Sequence, residues 1–287
     1  MGNYYLYQIA YFITRALPVK FAYALAVLLA DAHYFLSPKD RLAVEENLKV
    51  ALKTTHVKSQ DVRAVFHNFG KYLVDFFTMS KRVNKEFLKT QVDVKNAHYL
   101  DAVLKGGKGG IVISAHIGNW EAGSAFLSLL GYPFAVVALT HEDKRVNAFF
   151  NAQREAFGTT VIQTNVAIRR VTEQLKKNRF VAMLVERDFG KHGLAMDFLG
   201  RTTMIPKGAV VFSLKTGAPL IPCFIMRLDN DRYEVDLREP IVPDRLNDGA
   251  ISDDEIRVHM KKYLGIMEDQ LRRYPTQWLM FREFWAK

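Results

Sequence analysis

One cysteine, Cys223, among 287 residues excludes an internal disulfide framework and any zinc site built on thiolates, and fits a reducing compartment. Acids are also in short supply. Thirty Asp and Glu stand against 40 Lys and Arg, a formal charge of +10 with a pI near 9.5. Such a field favours polyanions: an anionic membrane surface, nucleic acid or an acidic protein. The basic residues form no clustered stripe and no recognition motif, so no nucleic-acid partner is expected. No Lys or Arg precedes Arg15, which argues against a secretory signal, and Leu6 stands where a myristoylation motif needs Ser or Thr. There is no Gly-x-Ser-x-Gly elbow, no internal repeat, no low-complexity tract and no linker.

Long apolar runs are missing too, but two shorter ones open the chain. Residues 4–17 and 21–36 are apolar and rich in Tyr and Phe, interrupted by Gln8, Arg15, Asp31 and His33. Neither reaches the ~20 uninterrupted apolar residues of a bilayer-spanning helix. An aromatic, amphipathic pair of this kind suits an in-plane or re-entrant anchor, or else covers the core of a soluble protein. The expected division is an anchor over 1–37 and a catalytic domain over 38–287.

Beyond residue 97 the texture becomes that of an α/β chain. Apolar strands are expected at 111–115, 134–139, 161–163, 180–185, 219–226 and 233–237, with helices between them. Ser252-Asp-Asp-Glu255 is a capping box opening the last helix. Alternating strands and helices predict a single αβα layered domain around a mostly parallel sheet. Gly106-Gly-Lys-Gly-Gly110 precedes a strand, whereas a dinucleotide loop follows one, so these glycines read as a tight turn.

The strongest chemical signal is His116-Ile-Gly-Asn-Trp-Glu121, at the junction of a buried strand and the next helix. Ligands of open α/β sheets collect outside the carboxyl ends of the strands. Glu121 falls in the first helical turn, where the helix dipole favours its ionised form. A carboxylate holding one imidazole nitrogen makes the other a better base, suited to deprotonating a hydroxyl. No Ser or Cys stands by as nucleophile, so the attacking hydroxyl is the substrate's own. A His and a Glu at this spacing also fit a metal pair, though no His-Glu-x-x-His or third ligand accompanies them, or a purely structural pair.

The surrounding blocks decide between these readings by resemblance. The segment 107–123 resembles the His-x-x-x-x-Glu/Asp block of the glycerolipid and lipid A acyltransferase superfamily. It looks most like the branch of late lipid A and phosphatidylinositol mannoside acyltransferases. Glu186-Arg187-Asp188-Phe189-Gly190, Asp197-Phe-Leu-Gly200, Pro206-Lys-Gly208, Gly217-Ala-Pro-Leu-Ile-Pro222 and Tyr274-Pro-Thr-Gln-Trp278 follow in the order of that branch. Position 186 is Glu where lipid A enzymes commonly carry Asp, which leaves the acceptor less defined than the reaction.

The resemblance implies an acyl thioester donor (acyl carrier protein or coenzyme A), no resident cofactor or metal, and a hydroxyl acceptor on lipid A or a similar glycolipid. It implies work at the cytoplasmic face of a bacterial inner membrane. His116 would be the general base and Glu121 its orienting carboxylate. Arg154, Glu186, Arg187 and Asp188 would bind substrate, with Arg154 otherwise reading as a solvated helix arginine, and Asn119 would bind there or fix the loop by its hydrogen bonds. The alternatives are a lysophospholipid or other glycolipid acyltransferase and, outside catalysis, a basic membrane-binding module. A base at a strand end argues against the last.

Overall fold

The computed structural model describes residues 2–188, 190, 192–244 and 250–285. Five helices come first: α1 (Gly2–Ala16), α2 (Val19–Leu36), α3 (Pro38–Ala51), α4 (Ser59–Arg82) and α5 (Lys85–Gln91). Pro18 starts α2 without obstruction, because the first turn of a helix needs no N–H donor there. Then follow β1 (Val92–Lys95), α6 (His98–Lys105), β2 (Gly110–Ser114), α7 (Trp120–Leu129), β3 (Phe134–Ala138), α8 (Lys144–Glu155) and β4 (Thr160–Gln163). The chain continues through α9 (Ala167–Lys176), β5 (Phe180–Leu184), the hairpin β6 (Leu194–Phe198) and β7 (Arg201–Ile205), α10 (Gly208–Thr216), β8 (Leu220–Arg227), β9 (Tyr233–Leu237) and α11 (Asp253–Arg273).

Among the described residues, seven strands form one sheet in the order β1-β9-β8-β2-β5-β3-β4. Every pairing is parallel except β8 with β9, which a short turn joins as a hairpin. The expected α/β fold with a mostly parallel sheet is therefore present. The central strand β2 is buried at every position, which is why it reads as a continuous apolar run. Its side chains alternate between two layers. Ile111 and Ile113 join a core with α9, α10 and α11, while Val112 joins one with α4, α6 and α7. The expected turn is there as well: Gly107 and Gly109 have φ of +71° and +66°, and a Cβ on Gly109 would press on the Arg179 carbonyl oxygen.

Three elements escaped the sequence reading. Helix α5 is seven residues long and β1 four, too short to show a period. The hairpin β6–β7 carries the 197–200 block, and its turn places Leu199 at φ +56° before Gly200 at +84°.

The first two helices pack on α4 rather than standing apart from it. Tyr7 and Tyr11 of α1 meet Phe150 and Phe149 of α8 edge-on, with centroids 5.4 and 5.3 Å apart. On α2, Ala22, Tyr23 and Ala30 are buried. The opposite face exposes Phe21, Leu28, Leu29 and Phe35, and α1 exposes Leu6, Ile9 and Phe12. By length and composition, α2 is the one helix among the described residues apolar enough to cross a membrane, with mean hydropathy 1.4.

Candidate active site

Strand β2 ends at Ser114, and the chain turns sharply before α7 starts at Trp120. Gly118 makes the turn at φ +64°, with its backbone so close to β8 that a Cβ would fall on the Ile225 carbonyl oxygen. Backbone bonds pin the turn: His116 O accepts from Leu279 N (2.8 Å), Gly118 N donates to Gln277 O (2.9 Å), and Asn119 N donates to Ile225 O (2.8 Å). Gly118→Ala should therefore cost more than the ~1–2 kcal/mol of a left-handed residue alone. Chemical unfolding would show it, and a wild-type midpoint would rule the close approach out.

The carboxylate on His116 is Glu186. Glu186 Oε1 accepts from the His116 backbone N–H at 2.9 Å and makes a short contact with His116 Nδ1. Burial raises the Glu186 carboxyl, but the charge and hydrogen bonds of His116 outweigh it, and the net shift is below its ordinary 4.5. Nδ1 is thus engaged, leaving Nε2 for a reacting proton.

Glu121, the carboxylate expected to orient His116, does something else. It takes Arg154 of α8 in a fork, with Nε to Oε2 at 2.9 Å and Nη2 to Oε1 at 2.5 Å. The reason is geometric: after the reversal at Gly118, the first turn of α7 faces α8. Burial opposes the charge on Arg154, but Glu121 overrides it and the guanidinium stays firmly protonated. Arg154 is only 9% exposed, so the reading of a solvated helix arginine falls too. Its Nη1 has no hydrogen-bond partner among the described residues.

Asn119 is placed to fix the loop rather than to line the cavity beside His116. It is buried, with Oδ1 capping α7 at Ala122 N (3.1 Å) and Nδ2 donating to Asp75 (3.2 Å). Arg187 and Asp188 do face the site. Asp188 also accepts from Gly193 N at 2.7 Å, shaping its own loop, while Phe189 of the same block lies outside the described residues.

Two cavities meet here. The larger, about 620 Å³, has His116, Glu121 and Arg154 in its wall beside an apolar lining that includes Val112, Leu127, Phe134, Val136, Cys223 and Ile225. The smaller, about 410 Å³, is mixed in character, with Glu186, Arg187, Asp188 and Arg282 facing Met280, Phe284 and Trp285. Both fall within the size range of small-molecule sites. The sequence reading assigned no role to several wall residues. Tyr72 stacks on Trp120 (4.5 Å), and its hydroxyl is held protonated by burial and by Glu121. His141 lies 4.6 Å from the Phe150 ring, with burial and Arg154 lowering its basicity against Glu121. Ser114 Oγ is buried there without a hydrogen-bond partner among the described residues. Ser114 alone carried a signal, its position two residues before His116 on the same strand face.

A histidine at a strand end, a buried carboxylate behind it and an apolar cavity beside it suit acyl chemistry. Over residues 1–287 the chain matches the family of bacterial lipid A biosynthesis acyltransferases, and it belongs to that family. It is similar to the phosphatidylinositol mannoside acyltransferase of Mycobacterium tuberculosis, strain H37Rv, at 28% identity over 75% of this chain and 70% of that protein. The enzyme of the same name from Mycolicibacterium smegmatis is 27% identical over 75% of this chain and 72% of its own. The protein is an acyltransferase acting in glycolipid metabolism.

Proposed function

We propose that the protein transfers a fatty acyl group from an acyl thioester, on acyl carrier protein or coenzyme A, to a hydroxyl of lipid A or a similar membrane glycolipid. The observation that carries this reading is the His116–Glu186 pair set in the wall of the apolar 620 Å³ cavity. His116 Nε2 takes the proton from the acceptor hydroxyl as its oxygen attacks the thioester carbonyl. Glu186 holds the tautomer and stabilises the imidazolium. The C–S bond then breaks, the ester C–O bond is complete, and the imidazolium returns its proton to the leaving thiolate. Arg154, clamped by Glu121, keeps Nη1 as a donor for charge developing on the carbonyl oxygen. The acyl chain occupies the apolar cavity. The acceptor head group takes the smaller one, where Arg187 and Arg282 lie close enough for each charge to oppose the other.

The test uses full-length protein in detergent micelles, a long-chain acyl-CoA or acyl carrier protein, and either a phosphatidylinositol mannoside or a lipid A precursor. Mass spectrometry of the acceptor should show one added acyl ester. If no donor–acceptor combination gave that product, the reading would fail.

The exposed apolar faces of α1 and α2 dock on the bilayer in this reading, assisted by surface cations worth about 1 kcal/mol each near anionic head groups. Salt screens the second contribution within ~10 Å at 0.1 M and leaves the first untouched. Wild-type protein should stay on anionic vesicles through a high-salt wash. A variant with Phe12, Phe21, Leu28 and Leu29 changed to serine should be stripped from them. Substitution is a cleaner test than a chain starting at Pro38, which would delete the buried Tyr23. Wild-type protein in the wash supernatant would refute docking by these helices.

A further inference from the structure

Outside the lining of both cavities, Asp75 of α4 is 7% exposed, yet it receives donors from several elements at once. Tyr23 of α2 donates to Oδ1 at 2.5 Å. Tyr233 of β9 and Arg227 of β8 both make short bonds to Oδ2. Arg82, on α4 itself, reaches Oδ1 at 3.4 Å, and Asn119 Nδ2 donates to Oδ2 at 3.2 Å. That bond fixes which way the carboxamide faces, so its oxygen is presented to Ala122 N as the cap of α7. Asn119 is three residues from His116 and two from Glu121, with the pinned turn between. We propose that Asp75 is a positioning residue for acyl transfer, acting through Asn119 to set the start of α7 and with it His116 and Glu121.

The physical argument is that a carboxamide has two ends of similar shape and opposite hydrogen-bonding character. A buried acceptor on one side admits only one orientation, since the flipped amide would set oxygen against carboxylate. Arg227 and Arg82 set positive charge against the Asp75 carboxylate in the interior. Burial holds the Tyr233 hydroxyl protonated, so it remains a donor. Because Tyr23 belongs to α2, the same carboxylate joins the N-terminal helices to the catalytic turn. Nothing in this cluster borders the larger cavity, so Asp75 acts without touching substrate.

The inference rests on the site proposed above, and its test has a readout independent of turnover. Asp75→Asn, Asn119→Ser and the double variant are made in the full-length protein. Serine keeps an acceptor for Ala122 N but is too short to reach Asp75. Hydrogen exchange in the segment 116–124 should be faster in each single variant, with α10 unchanged. With a long-chain acyl-CoA and a phosphatidylinositol mannoside acceptor, each single variant should lose about tenfold or more in kcat with KM nearly constant. The double variant should lose no more than the worse single one, because both act through one hydrogen bond. Losses that add, or wild-type kcat and exchange in a folded Asn119→Ser, would overturn the proposal. If Asp75→Asn does not fold, Asn119→Ser decides alone. If wild-type protein fails to use these substrates, the function reading is at fault, and exchange still decides the role of Asp75.

Discussion

Replacing His116 by alanine is expected to lower acyl transfer by about 10²–10⁴-fold, the usual worth of a positioned general base. Glu186→Gln should cost nearly as much, because a neutral amide cannot support the imidazolium formed when His116 takes the proton. Both losses should fall on kcat, since neither side chain is needed to hold the acyl chain or the bilayer. His116→Asn keeps a donor near Glu186 and guards against loss of the fold. Glu186 also ties pH to stability. Its folded pKa lies below the ordinary 4.5, so its contribution is present above that value and is lost as the pH falls through the folded pKa. The stability of wild type relative to Glu186→Gln should therefore shrink in acid. A folded His116→Ala enzyme turning over at the wild-type rate would remove His116 from the chemistry.

Glu121→Gln should behave differently, and the difference separates the two carboxylates. Glu121 and Arg154 are both nearly buried, with side-chain exposures of 9 and 10%, and are bonded at both forks. Removing one partner of such a pair leaves a desolvated charge and costs about 3–5 kcal/mol. For a chain of this size that is a drop on the order of 10 °C in Tm. Activity should fall as well, because Arg154 loses the clamp that aims Nη1. Arg154→Lys should be nearly as harmful as alanine, since an ammonium cannot fill the fork. Thermal unfolding beside kinetics checks this. Glu121→Gln with an unchanged Tm and lost turnover would mean that Glu121 acts on the substrate itself rather than through Arg154.

These two outcomes divide labour that the sequence had assigned to one pair. The His116-to-Glu121 spacing marks a strand end followed by a helix start, and both lie where expected. Spacing across a reversal does not say where side chains point, and at Gly118 the backbone turns through a conformation that sends α7 toward α8. Glu186, expected to bind the acceptor, borders the smaller cavity and also sits behind His116. Arg154, open to reading as a surface residue, is the buried partner of Glu121.

Local chemistry alone fixed much of this protein. Apolar runs set the strands, the Ser252 cap set α11, and the helical spacing of Val62, Val65, Phe66, Phe69, Leu73 and Phe76 set α4, because each depends on residues within a few turns of one another. The place of His116 was legible for the same reason. Its partner was decided by tertiary structure. Strands β2 and β5 pair in parallel with Ser114 opposite Leu184, so residues 116 and 186 leave adjacent strands side by side. That register joins positions 70 apart in the chain, and sheet packing, not local propensity, selects it.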